Sequence, residues 1–393
     1  MQVFRITNII ASLVVVSLAT ATSSHAQLIE TKAKRVHLVD AESGAVLLSR
    51  EADAPFAPGS IAKLMTAEIV FNALAVGDLS PEQVYPVSEH AWRTGGAPSR
   101  TTTMFAAIKS QVSVADLIQG LTVQMANDAA IVLAEGMRGS EESFAQAMNE
   151  RARAIGLVTS TFINPTGFPG EGQQVTSREM TMLATHLWRT YPEQYALFSQ
   201  PAFEWNKIFQ RNKNPLLALD IGADGLMTGF AEGHGYSIVA SATDGQRRIF
   251  GTFGGFESEA ERLSETQKLL KWGLEGFHTK QLLAADEVVG EASVYGGKAD
   301  SLPLRVQEKV SVLAPVGHPE AVQARIVYER PLPAPIQKGD QVGELQIWVG
   351  DTLSKRIDLH AAETVESGTL RQRAFGAVAE LLVGWLRQFS WAG

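Results

Sequence analysis

The stretch PGSIAKLMT, residues 58–66, joins the start of an apolar helix to two residues that can act together in catalysis. Apolar residues continue at helical spacing, which predicts a helix over 61–74. Ser60 lies where that helix begins, and Lys63 follows three residues later, so both side chains share one helical face. This segment therefore predicts a buried helix that carries a serine and a lysine at its N-terminal end.

A serine and a lysine in this arrangement suit nucleophilic catalysis. A serine hydroxyl is a weak nucleophile until a base takes its proton, and a lysine can be that base if burial lowers its pKa. The free N–H groups at a helix start can also stabilise an oxyanion. An isolated S-x-x-K is more often a helix-capping serine beside a solvated lysine than a catalytic pair, and that interpretation stays open here.

Composition limits the other chemistries. The 393 residues include no cysteine, which excludes disulfides, cysteine nucleophiles and thiolate metal sites. The eight histidines are scattered without an H-E-x-x-H pair, so we expect no metal and no cofactor. The formal net charge of −8 argues against nucleic acid as a partner.

The region 27–276 mixes helical and strand patterns and predicts an α+β domain. Residues 36–40 and 45–48 flank a Ser43-Gly44 turn and predict a hairpin, and residues 236–241 and 248–251 predict a second. Further helices are expected over 114–125, 128–137, 142–155 and 257–277. From about residue 285 short alternating strands follow, which predicts a small all-β domain over 277–366.

Both ends of the chain carry targeting patterns. Arg5, the apolar run 9–18 and small residues ending at Ala26 predict a cleaved signal peptide over 1–26, the alternative being a membrane anchor. At the C-terminus, 367–393 predicts an amphipathic helix with tryptophan and phenylalanine on its apolar side. Such a helix can lie on the outer face of the cytoplasmic membrane or dock on its own domain, and the pattern fits both.

Two later segments give the serine–lysine pair a context. Residues 124–130, QMANDAA, and residues 224–230, DGLMTGF, follow Ser60 in the order and spacing that penicillin-recognising serine enzymes use. With the stretches 162–168, 211–217 and 269–273, the chain resembles the low-molecular-weight penicillin-binding D-Ala-D-Ala carboxypeptidases over nearly its whole length. The resemblance implies a β-lactamase/penicillin-binding-like domain with an antiparallel sheet and helices, then the small all-β domain and the tail helix.

The resemblance also implies roles for individual residues. Ser60 would attack the bond between two D-alanines of a peptidoglycan stem peptide, and Lys63 would accept the Ser60 proton. Asn127 would hold the substrate amide and contact Lys63. The remaining implied site consists of the oxyanion and carboxylate positions Thr228, Gly229, Phe230, Lys213 and Arg262. β-Lactams would act as inhibitors, and the protein would work in the periplasm.

Two motif positions depart from the family pattern. Met125 stands where the second motif has serine, and Met227 stands where the third has lysine. Met125 cannot relay a proton, and Met227 removes a cation that Lys213, Arg262 or His234 would have to replace. The departures leave two hypotheses, an enzyme that is slow or altered and a degenerate protein that binds peptidoglycan or a wall-synthesis partner. A β-lactamase is a third, which the altered second motif and the β-domain disfavour.

Overall fold

The computed structural model describes residues 29–329 and 331–370. The predicted signal peptide, 1–26, and the predicted tail helix beyond residue 370 lie outside these ranges. Within them the α-helices are α1 (Lys63–Val76), α2 (Glu89–Thr94), α3 (Val114–Val123), α4 (Asn127–Arg138), α5 (Glu141–Ala154), α6 (Ser177–Thr190), α7 (Pro192–Tyr195) and α8 (Glu259–Glu275).

The strands in the same ranges fall into a first group before α8 and a second group after it. The first group is β1 (Arg35–Asp40), β2 (Val46–Arg50), β3 (Val84–Pro86), β4 (Gln111–Ser113), β5 (Ala202–Trp205), β6 (Ile208–Arg211), β7 (Ala223–Ala231), β8 (Gly235–Thr243) and β9 (Arg248–Phe256). The second is β10 (Phe277–Leu283), β11 (Val288–Tyr295), β12 (Ser301–Arg305), β13 (Val310–Pro315), β14 (Val322–Val327), β15 (Leu332–Pro333), β16 (Gln341–Val349) and β17 (Thr352–Ala361).

A five-stranded antiparallel sheet forms the centre of the first part, in the order β2-β1-β9-β8-β7. Its strands alternate between two buried faces: Leu38 packs with Leu269 and Leu270 of α8, whereas Val39 packs with the helices on the other side. Both predicted hairpins are confirmed, as β1–β2 and β8–β9. Within the described ranges the sheet ends at β7, whose outer edge lies beside the candidate site.

Helix α1 is the central helix of the first part. Its residues from Lys63 to Phe71 are all buried, including the ionisable side chains of Lys63 and Glu68. Gly59–Val76 has the length and mean hydropathy of a membrane span, but 61% of that segment is buried in the protein. Its environment is that of a core helix, and it fixes the serine–lysine pair inside the domain.

Three predicted helix boundaries differ from the structure. Residues Gly59–Ala62 form a 3₁₀ turn, so α1 begins only at Lys63. Helix α3 ends at Val123, because Met125 takes a left-handed conformation with φ of 53° that an α-helix excludes. Helix α8 ends at Glu275, and Phe277 starts β10 as the first residue of the β-rich part.

The β-rich part packs around its own core and also contacts the first part. Its six-stranded sheet has the order β14-β16-β17-β12-β11-β15, with β10 and β13 paired separately. Two residues of the β-rich part, Leu313 and Val349, pack instead in the apolar cluster that contains Leu47 and Leu269 of the first part. Apolar contacts thus connect the two parts on the side of the sheet that α8 covers.

Candidate active site

Ser60 and Lys63 meet because a 3₁₀ turn places residues i and i+3 in line. The Nζ atom of Lys63 lies 3.0 Å from Ser60 Oγ and 2.7 Å from the carbonyl oxygen of Thr166. Ser60 is half-buried at the cavity surface, whereas Lys63 is fully buried behind it. The expected proximity of the pair is present, with Thr166 as an additional partner that orients the amine.

Two glycines allow this close packing. Gly59 has a φ of +54°, and a Cβ atom there would lie 2.3 Å from the carbonyl oxygen of Phe230. Gly167 has a φ of +81°, and its Cβ would lie 1.8 Å from the carbonyl oxygen of Gly59. Glycine is therefore required at both positions, and it brings the end of β7 and the Thr166 loop against Ser60.

The environment of Lys63 makes it a base near neutral pH. Burial lowers the pKa of Lys63 from its ordinary 10.5 to about 7, while the negative charge of Asp128 acts in the opposite direction. A pKa near the working pH suits a general base, since the amine is then both available and able to hold a proton. The alternative interpretation from the sequence, a lysine exposed to solvent, does not describe Lys63.

The second motif forms the wall of the cavity next to Ser60. Met125 is buried in the left-handed turn between α3 and α4, and Asn127 begins α4. The amide of Asn127 donates to Thr101 Oγ1 at 2.9 Å, and its Oδ1 has no partner among the described residues. The amine of Lys63 is hydrogen-bonded to Ser60 and Thr166, and the expected hydrogen bond between it and Asn127 is not found among the described residues.

The third motif lies on β7, where alternation separates its residues. Thr228 faces the cavity, and its hydroxyl approaches Sδ of Met125 at 3.7 Å. Met227 points to the opposite face and is fully buried in the apolar cluster that includes Tyr195 and Phe198. Met227 is thus a core residue rather than part of the cavity surface.

One cavity of about 480 Å³ collects most of the predicted site residues. Its lining includes Ser60, Met125, Lys213, Thr228, Gly229, Phe230 and Arg262. Arg262 is buried over the ring of Tyr236 at 5.6 Å, and burial lowers its pKa. Lys213 and Arg262 therefore bring positive charge to the cavity, whereas His234 lies in the turn between β7 and β8.

Several residues of the site were not found from the sequence. Thr102 and Glu259 also line the cavity, Thr166 binds the lysine, and Asp128 is buried behind it. The segment 164–167, NPTG, held a signal, because Asn164 Oδ1 accepts from Thr166 and Gly167 in an Asx turn. Across the described ranges, we find no group of three or more residues suited to hold a metal ion.

The fold and the site together define a class. A helix carrying a serine and a lysine, packed against the edge strand of an antiparallel sheet, is the arrangement of the penicillin-recognising serine enzymes. Within that class, the chain belongs to the D-alanyl-D-alanine carboxypeptidase family, whose model matches residues 20–253. The model of the penicillin-binding protein 5 C-terminal domain matches residues 277–367.

Individual relatives agree with this assignment. D-alanyl-D-alanine carboxypeptidase DacC of Escherichia coli (strain K12) is 35% identical over 351 residues, 88% of each chain. The crystal structure of the carboxypeptidase DacD from Francisella tularensis is 28% identical, with a TM-score of 0.71 over 87% of this chain and 95% of that one. Penicillin binding protein 5 from Haemophilus influenzae is 32% identical, with a TM-score of 0.66 over 86% and 99%. The α+β fold and the family resemblance are confirmed.

Proposed function

We propose that this protein is a serine-type D-Ala-D-Ala carboxypeptidase that acts on peptidoglycan stem peptides through an acyl-enzyme on Ser60. The observation that carries the proposal is the 3.0 Å contact between Ser60 Oγ and the Nζ of Lys63, whose pKa is lowered to about 7. A buried neutral amine at this distance can take the serine proton as the nucleophile attacks. Family membership favours this enzyme over the hypothesis of a protein that only binds peptidoglycan.

The surrounding residues suit the steps of acyl transfer. The backbone N–H groups of Ser60 and Phe230 would stabilise the oxyanion. The side chain of Asn127, whose Oδ1 has no partner in the described part of the chain, would hold the substrate amide. Thr228 would bind the terminal carboxylate, assisted by the positive charges of Lys213 and Arg262. The terminal D-alanine would leave, and water would then release the shortened peptide from Ser60.

Met125 affects the rate in this proposal rather than the reaction type. A thioether cannot relay a proton to the leaving amine, and a positioned proton-transfer group contributes about 10²–10⁴-fold. The nucleophile and its base are both present without it. We therefore expect acylation that is slower than in a site with a complete second motif.

Intact-mass spectrometry after incubation with benzylpenicillin tests the acyl-enzyme. A β-lactam would leave a stable adduct, and the name of the Haemophilus relative records penicillin binding by that protein. We expect one adduct of the mass of the intact drug on the wild type and none on Ser60→Ala. Absence of the adduct from both, after long incubation with a folded protein, would refute the proposal.

Release of D-alanine from a pentapeptide ending in D-Ala-D-Ala tests turnover separately. We expect release by the wild type and none above background by Ser60→Ala or Lys63→Ala. A penicillin adduct without any D-alanine release would mean that the peptide does not acylate Ser60, and the protein would then act as a penicillin binder rather than a carboxypeptidase. Release that stops at one D-alanine per protein would mean that deacylation fails.

We infer further that the protein works in the periplasm. Its chain would consist of a signal peptide (1–26), a catalytic domain (27–276), a small β-domain (277–366) and a membrane-binding tail (367–393). The arguments are the tripartite N-terminal pattern and the amphipathic C-terminal pattern. Removing the residues from 370 onward should move the protein from the membrane fraction to the soluble periplasmic fraction. An unchanged distribution would instead support a tail docked on its own domain.

A further inference from the structure

Asp128 is a buried carboxylate behind the site that the catalytic steps above do not use. It lies in the first turn of α4, next to Asn127, and is fully buried. Burial raises the pKa of Asp128, and its hydrogen bonds oppose that change by favouring the charged form. A buried charge of this kind is costly unless many donors satisfy it, so its surroundings show what it does.

Apart from the N–H of Ala129 on the same helix, the donors to Asp128 among the described residues come from the loop that forms one wall of the cavity. The backbone N–H groups of Met104 and Ala106 donate to it at 2.9 and 3.0 Å, and the Thr103 hydroxyl donates at 2.5 Å. Phe105, between them, has a φ of 65°, a conformation that needs support in a bulky residue. The carboxylate therefore fixes residues 103–106 in an unfavourable backbone shape.

The same loop continues into the residues that contact Asn127. The N–H of Asn127 donates to the Thr102 carbonyl at 2.8 Å, and the Asn127 side chain donates to Thr101 at 2.9 Å. Thr102 itself lines the cavity. Release of the loop from Asp128 would thus loosen both the wall and the partner of Asn127.

Asp128 also acts on Lys63 through its charge. It is the charged group that raises the pKa of Lys63 against the effect of burial. Glu68, the other buried acid near Lys63 on α1, is instead bound by Arg151 at 2.8 Å and lies 3.3 Å from His186. Asp128 therefore binds the loop directly and acts on Lys63 through its charge.

We propose that Asp128 is a positioning residue of the active site, which holds the loop 101–106 against Asn127 and supplies the negative charge that acts on Lys63. The geometry of the proposal stands on its own, and only its kinetic readout rests on the proposed function. Asp128→Asn is the informative change, because it keeps the size of the side chain but removes the charge and places an NH₂ group among donors.

NMR titration of ¹³C-labelled lysine tests the charge without any need for turnover. In the wild type we expect Lys63 to titrate near pH 7, and in Asp128→Asn we expect a clearly lower midpoint. The matched control is Glu179→Gln, which removes a buried carboxylate that likewise accepts from Thr159 and Ser160 but does not shift the pKa of Lys63. Equal Lys63 midpoints in wild type and Asp128→Asn would overturn the electrostatic half of the proposal.

Hydrogen exchange and acylation kinetics test the loop. The amides of Met104 and Ala106 should exchange at least tenfold faster in Asp128→Asn, while those of Ser160 change only in the Glu179 variant. In Asp128→Asn, the acylation rate at the plateau of its pH profile should fall. The acidic limb of that profile should move to lower pH, a shift that simple destabilisation would not cause. If the Met104 and Ala106 amides stay protected in Asp128→Asn and the plateau of the acylation rate is unchanged, the positioning role is overturned. A wild type that is never acylated would contradict the proposed function, and the NMR and hydrogen-exchange results would then decide the role of Asp128.

Discussion

The hydroxyl of Thr228 and the sulfur of Met125 face each other at 3.7 Å across the cavity beside Ser60. This contact joins the third motif to the second. The Met125 sulfur is a weak hydrogen-bond acceptor for Thr228, whereas a serine hydroxyl at position 125 would be a strong one. Met125 therefore offers no proton relay at this position, although the contact between Ser60 and Lys63 is present.

Met125→Ser should raise the rate of acylation by penicillin. A serine hydroxyl at this position can relay a proton, so we expect a gain of about 10²-fold, at the lower end of the range for positioned proton-transfer groups. Stopped-flow or gel-based labelling with a fluorescent penicillin measures the rate. Met125→Ala, which opens the same space without a hydroxyl, is the control, and equal gains in both variants would contradict the relay argument.

Met227→Lys alone should destabilise the protein and give no gain in acylation. Met227 is fully buried among apolar side chains, where a lysine must lose its proton or lie unpaired, at a cost of several kcal/mol. We expect a lower Tm in differential scanning calorimetry. Met182→Lys is the matched control, because Met182 is 40% exposed on α6, and a similar fall in both variants would argue against burial as the cause.

These two methionines show what the sequence could and could not reveal. The spacing of residues 60, 125–127 and 227–229 identified the site, and hairpin turns identified the sheet. Strand alternation could have shown that Met227 and Thr228 face opposite sides, which the motif comparison overlooked. The contacts of Lys63 with Thr166 and of Asp128 with Met104 join distant segments, so only the packed chain could reveal them.

Acylation should depend on pH through Lys63. Only the neutral amine accepts the serine proton, and a pKa of about 7 leaves roughly a tenth of it neutral at pH 6. We expect the second-order acylation rate to rise about tenfold per pH unit below 7 and to level off above it. A rate that is flat between pH 5.5 and 8 would mean that another group is the base.

Gly59→Ala should abolish acylation and destabilise the fold. The added methyl would overlap the backbone carbonyl of Phe230, at a cost of about 1–3 kcal/mol for overpacking and about 1 kcal/mol more for the positive φ. Gly44→Ala separates the two effects, because Gly44 has a φ of +68° and no atom within 4 Å of its added Cβ. Equal losses of Tm in the two variants would show that the approach of Phe230 does not matter.

Lys63→Met should abolish acylation and yet raise the Tm, because the active site keeps an ionisable amine in a fully buried position. The pKa of Lys63 is about 7 in the folded protein against an ordinary 10.5, so between these values the unfolded chain binds a proton that the folded chain does not. The wild type therefore gains stability as pH rises through that window, and below pH 7 it carries the full penalty.

Methionine has a similar length and no such penalty, so the Tm difference in favour of Lys63→Met should be largest at pH 6 and shrink by pH 9. Thermal unfolding at both pH values measures this, with Lys213→Met as the control for a lysine that is exposed in the cavity. A Tm difference between the wild type and Lys63→Met that is the same at pH 6 and pH 9 would contradict the lowered pKa of Lys63. It would also contradict the interpretation that this site loses stability in order to hold a neutral base against Ser60.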